Sequence, residues 1–109
     1  MDDYVLVSTV AGDRESAARL AASAVKARLA AGAQVYGPVS SFFWHLGEFG
    51  EGEEWQVTLK TTRARYDDLE RHLIGEHAWE NPEVTAIPLV AGSAAYLRWL
   101  DTTISGDDK

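Results

Sequence analysis

Cysteine is absent from all 109 residues, which removes any disulfide framework, thiolate metal site or thiol nucleophile. Redox chemistry through sulfur goes with it, and Met1 is the sole thioether. Positive charge is also scarce. Ten basic side chains stand against seventeen acidic ones, a net charge of −7, and that balance repels phosphate backbones and anionic membrane surfaces. Nucleic acid and membrane are therefore not expected partners. No apolar run approaches the roughly 18 residues of a membrane span, and the start Met1-Asp2-Asp3 lacks the basic segment of a signal peptide. The expected location is the cytoplasm. Linkers, internal repeats and low-complexity tracts are missing too. What remains, 46% hydrophobic and 25% charged, suits one domain over 1–109. Its ordered core is expected over 4–104, with frayed ends at 1–3 and 105–109.

Tyr4 to Val10 is rich in Val, Leu and Thr and reads as a mostly buried strand. Asp13 is placed to cap a helix that the spacing carries to about Ala31, its apolar face being Ala18, Ala21, Ala22, Val25 and Leu29. Gly32 is the expected C-cap. A long extended stretch follows from Gln34 to about Leu46, bent at Gly37-Pro38, where proline demands a sheet edge. Residues Gly47 to Gly52 read as the hairpin connection, and Trp55, Val57 and Leu59 then alternate with polar partners as a half-buried strand. Thr62 is the expected cap of a second helix with Tyr66, Leu69 and Leu73 inward and Gly75 at its end. Val84 to Leu89 reads as the fourth strand. A short last helix from Ser93 is expected to turn Tyr96, Leu97 and Leu100 inward.

The order β-α-β-β-α-β predicts an α+β, ferredoxin-like split sandwich with its helices on one sheet face. A strand over 34–46 spans roughly 40 Å, whereas a helix of about 18 residues reaches about 27 Å. The hairpin is therefore expected to overhang its helices. It carries Phe42, Phe43, Trp44, Phe49 and Trp55, an aromatic patch seldom left in water. An unpaired strand edge beside it favours another copy of the chain and closed symmetry. The alternative is a hairpin folded back over its own sheet.

From His77 to Leu100 the chain reads HAWENPEVTAIPLVAGSAAYLRWL, which resembles the CutA-type divalent-cation tolerance proteins. Their pattern here is His-Pro-Tyr-Glu, a variable residue, Pro-Glu, a strand ending near Pro, Gly, then Tyr-Leu-x-Trp-Leu. It is matched by His77, Trp79, Glu80, Pro82, Glu83, Pro88, Gly92, Tyr96, Leu97, Trp99 and Leu100, with Ala78 in place of Pro and Trp79 in place of Tyr. Agreement continues through Val5 to Thr9, Arg28-Leu29-Ala30-Ala31, Gly47-Glu48 and Leu59-Lys60-Thr61-Thr62. The resemblance implies the same fold and a homotrimer in which hairpins wrap onto neighbouring subunits. It also implies a role in tolerance of divalent cations, copper among them.

At the positions that matter for metal the chain departs from that pattern. Ser8, Gly32 and Glu76 stand where relatives can have Cys, Cys and His. Soft Cu(I) prefers sulfur ligands, so the candidate ions are Cu(II) and Zn(II), and the candidate ligands are His77, Glu76 and Glu80. Two or three such ligands form a site only with help from neighbouring subunits, His72 or His45. The alternative is that His77 and Glu80 simply hold their loop by hydrogen bonds. Lys60, Trp79, Glu83 and His45 are the candidates for an intersubunit cleft taking a small anionic ligand, as in the similar trimeric PII-type signalling proteins. His45 and Phe43 replace a common Trp and Tyr, which puts an ionisable ring in the expected interface. The acidic tip, Glu48, Glu51, Glu53 and Glu54, lacks the ligand alternation of a calcium loop and reads as solvated. His72 reads as a surface residue. A cofactor-free monooxygenase or isomerase is the enzyme alternative; no nucleophile is paired with a base to support it, and the Ala-rich first helix argues against the apolar cavity it needs.

Overall fold

The computed structural model describes residues 3–108; Met1, with its thioether, Asp2 and Lys109 lie outside. The elements run β1 (Tyr4–Ala11), α1 (Arg14–Lys26), β2 (Gly32–His45), β3 (Glu48–Thr62), a single 3-10 turn (Arg63–Arg65), α2 (Tyr66–Glu76), β4 (Thr85–Pro88) and α3 (Ala94–Ser105). All strand pairs are antiparallel, in the order β2-β3-β1-β4. This is the ferredoxin-like arrangement that the element order implies, with β2 on an edge as Pro38 requires.

Strand alternation decides which face is covered. Val5 and Val7 from β1 and Val57 and Leu59 from β3 point to one face, where α1 contributes Ala17, Leu20, Ala21 and Ala24 and α2 contributes Leu69 and Leu73. The small alanines let α1 lie close to the sheet. Its buried stripe is 17, 20, 21, 24, rotated from the expected 18, 21, 22, 25, 29; Ala22 is exposed and Ala18 half-buried. The opposite face is covered only in part. There α3 buries Leu100 and Ile104 against Ala31 and Tyr4, and the Tyr4 hydroxyl donates to Asp101 at 2.7 Å. That bond, with burial second, raises the Tyr4 pKa.

Several element ends differ from expectation. Asp13 caps α1 as read, its carboxylate accepting from the Ser16 N–H at 2.7 Å. The helix, however, stops at Lys26 and not near Ala31. Arg28 enters the left-handed region at φ 62, Leu29 N–H bonds Ala24 O and Arg28 N–H bonds Val25 O, both at 3.0 Å. This is a Schellman closure with arginine where glycine is usual. The cost of that backbone is offset by the guanidinium, which donates to Thr103 O and to Asp108, each at 2.9 Å. Gly32 is therefore no cap; it opens β2.

The hairpin turns on Leu46 and Gly47 alone, at φ 50 and 82, the two left-handed positions of a tight hairpin turn. Glu48 to Gly52, expected as loop, are paired strand residues. The bend falls where expected, between Tyr36 and Val39, after which Val39 pairs with Glu54. A Cβ at Gly37 would come within 2.9 Å of the Trp55 ring. Thr62 caps the 3-10 turn, accepting from Arg65 N–H at 3.2 Å, and α2 runs through Gly75 to Glu76. Strand β4 is shorter than read, and Val84, just before it, still packs on the core. Tyr96, expected inward, is exposed and lies against Trp99, ring centres 5.3 Å apart. Within the tail expected to fray, Asp107 N–H bonds Thr102 O at 2.9 Å and Asp108 pairs with Arg28.

Candidate functional site

Two surfaces carry the residues singled out in the sequence: the free end of the β2–β3 hairpin and the loop joining α2 to β4. The molecule measures 46 × 25 × 22 Å, so the overhang deduced from strand length is present. Along it Trp44 faces Phe49 across the ladder, their rings edge-on with centres 6.0 Å apart. Phe42 stacks on Phe49 at 6.5 Å from the same face. Phe43 points the other way and lies over Gly50. Trp44 is 75% exposed, Phe42 64%, Phe49 60%, and Leu46 at the tip 90%. Trp55 does not join them. It sits below the bend, packed against the core, because the register shift at Tyr36/Val39 separates the overhang from the covered base.

The α2–β4 loop is built around His77. A backbone carbonyl can only accept, so at 2.7 Å from Val10 O the ring nitrogen Nε2 carries the proton and donates. Nδ1 then accepts from the Trp79 N–H at 3.0 Å. A neutral imidazole thus ties the loop to the end of β1. Trp79 lies 4.9 Å from the His77 ring, centre to centre, and covers Gly12. Together with Asp13, Ser16 and Arg19 these residues line a cavity of about 170 Å³. Asp13 is held below its ordinary pKa, chiefly by the Ser16 N–H and next by the Ser16 hydroxyl.

The metal candidates do not converge. Glu76 reaches toward Ser23, 3.4 Å away, Glu80 is exposed, and both His77 nitrogens are engaged. Among the described residues no three His, Asp or Glu side chains gather as a ligand set. The cleft candidates are also dispersed within one chain. Lys60 lines a shallow hollow of about 200 Å³ with Gln34, Thr58 and Tyr96 on the sheet face opposite α1. Trp79 is at the start of α1, Glu83 accepts from Thr85, and His45 is at the hairpin tip opposite Glu48. Among the described residues Lys60 has no ion pair.

Two positions escaped the sequence reading. Thr61 is fully buried and its hydroxyl donates to Leu29 O at 2.7 Å, satisfying a carbonyl at the end of α1. His72, read as a surface residue, has Nε2 2.8 Å from Ser23 Oγ on α1. Its position on the same helix face as Glu76 was the one available signal.

A model of the family described as CutA1 divalent ion tolerance protein matches residues 5–103. The chloroplastic protein CutA 1 of Oryza sativa subsp. japonica is 30% identical over 88% of this chain, which spans 54% of that longer protein. The divalent-cation tolerance protein CutA of Escherichia coli O139:H28 is 31% identical over 92% of this chain and 89% of its own length. The solved periplasmic divalent cation tolerance protein CutA from Archaeoglobus fulgidus superposes with a TM-score of 0.89 at 27% identity, covering 93% of this chain and 98% of that one. With the family match spanning nearly the whole sheet and all three helices, the chain belongs to the CutA1 divalent ion tolerance protein family.

Proposed function

We propose that this chain works as a homotrimer in the response to divalent cations, without catalysing a reaction, in the cytoplasm. The observation that carries the assembly is the exposed aromatic overhang. Phe42, Trp44, Leu46 and Phe49 form an apolar surface at the free end of an edge strand, and such a surface is stable in water only when covered. Cyclic closure covers every copy and leaves no edge for further growth. Light scattering tests it: the expected mass is three times the 12.0 kDa chain, and the Trp44→Ser/Phe49→Ser variant is expected to fall to the mass of one chain. A single-chain mass for the unaltered protein at all concentrations would overturn the proposal.

The cation belongs at the end of α2, where Glu76, His77 and Glu80 supply nitrogen and oxygen donors suited to Cu(II) or Zn(II). To ligate through Nδ1, His77 must release the Trp79 N–H, and stranding a backbone donor costs about 1–3 kcal/mol. The expected affinity is therefore weak. Calorimetric titration with Cu(II) and Zn(II) should show a weak event that His77→Ala removes; titrations that His77→Ala leaves unchanged would take this loop out of the reading. The non-enzymatic reading rests on the core, where Val7, Ala17, Ala24, Val57, Leu59, Leu69 and Leu73 are all fully buried between sheet and helices.

A second reading, a PII-like small-molecule sensor, is favoured by one observation, the half-buried Lys60 lining its hollow without an ion pair among the described residues. A rise in thermal midpoint with a small polyanion such as citrate, abolished by Lys60→Ala, would support it.

A further inference from the structure

The groove between α1 and α2 holds a donor set that does not use the loop after α2. His72 and Glu76 are one turn apart on α2 and share a helix face. Both reach the same atom across the groove: His72 Nε2 lies 2.8 Å from Ser23 Oγ, and Ser23 Oγ lies 3.4 Å from Glu76 Oε1. Imidazole nitrogen and carboxylate oxygen therefore both lie beside one hydroxyl oxygen. The spacing i, i+4 is the one by which a single helix presents two ligands to a metal ion. The third donor is a hydroxyl contributed by another helix.

Ion binding here disturbs less than at His77. Ligating the ion through Nε2 requires the His72 proton to sit on Nδ1, and the Ser23 hydroxyl can rotate to offer a lone pair. No backbone donor is stranded, whereas at His77 the Trp79 N–H would be. His72 and Ser23 are half-buried and Glu76 is exposed, so water can complete the coordination shell. The donor set of imidazole with carboxylate suits a borderline divalent ion, and the absence of sulfur disfavours Cu(I).

We propose that His72, Glu76 and Ser23 form a site for a borderline divalent cation such as Zn(II), which bridges α2 to α1. It goes beyond the loop reading, shares only Glu76 with it, and does not depend on His77 or Glu80. A mere interhelical clamp would need His72 and Ser23 but not the Glu76 carboxylate, nor would it respond to metal.

The test is titration of the full chain with Zn(II) alone, by calorimetry and by thermal midpoint, since an ion that bridges two helices of the folded state raises that midpoint. His72→Gln preserves a side chain able to donate to Ser23 but removes the imidazole; circular dichroism and the metal-free midpoint verify that it folds. The expected result is a saturable event separate from the weak one assigned to the loop, with a raised midpoint, lost in His72→Gln and weakened about tenfold or more in Glu76→Gln. This event should persist in His77→Ala, which removes only the weaker event assigned to the loop. Absence of this midpoint-raising event, or its retention in a folded His72→Gln chain, would overturn the proposal. Loss in His77→Ala with His72→Gln unaffected would also overturn it, and would place the ion in the loop.

Discussion

Residues Val57 to Thr61 and residues Phe42 to Phe49 belong to one hairpin, and both obey the alternation of a β-ladder. At the base, Val57, Leu59 and Thr61 are fully buried beneath α1 and α2. At the tip, Phe42, Trp44 and Phe49 are larger and more apolar, yet they are mostly exposed. The difference lies in the layer above. Helix α1 has 13 residues, about 20 Å at 1.5 Å per residue, while β3 has 15 residues, about 45 Å. Side-chain hydrophobicity determines what benefits from cover; element length determines where cover exists within one chain.

The largest loss is expected at the base. Leu59→Ala should cost about 2–5 kcal/mol through lost burial and a residual cavity, measured by urea denaturation and independent of protein concentration. At the tip, Trp44→Ser should cost about 2 kcal/mol or more, but only at concentrations where the proposed trimer is populated. Dilution series of both variants separate the regions. Equal, concentration-independent losses would mean that the tip folds back on its own sheet.

His77→Ala sharpens the contrast at the other end of the sheet. Removing a half-buried ring that bonds Val10 O and the Trp79 N–H should cost about 1–3 kcal/mol, and amide exchange in the 77–80 loop should quicken. Unchanged protection of Trp79 would show that the loop is held by other contacts. The smallest effect concerns Asp13. Its folded carboxyl titrates below the ordinary value of about 3.9, because the Ser16 N–H and hydroxyl favour the anion. The anion therefore favours the folded state at pH above the unfolded pKa, and that contribution is lost as pH falls through the depressed folded value. In Asp13→Ala the slope of stability against pH across that window should be shallower.

Much of this was legible in the residues. The Val, Leu and Thr content of Tyr4 to Val10 and the period-two alternation of Trp55 to Leu59 marked strands, and the Asp13, Gly37-Pro38 and Ser93 signals fell where the chain begins helices or bends. The end of α1 was not legible. Leu29, Ala30 and Ala31 continue a helical pattern, but Ala31 N–H bonds Lys60 O at 2.9 Å and Arg28 turns left-handed to meet Asp108. Those contacts come from residues far along the chain. His72 was misread for the same reason, since its partner Ser23 is on another helix.

Composition and pattern by themselves determined the element order, the absence of sulfur chemistry, the acidic surface and the existence of an aromatic hairpin, because these depend on residue type and local spacing. Only the tertiary structure decided that Trp55 belongs to the core and Trp44 does not, that both nitrogens of His77 are engaged, and that His72, Ser23 and Glu76 meet. Each depends on how two elements distant in sequence are placed side by side, and that placement follows from packing the whole sheet against its helices.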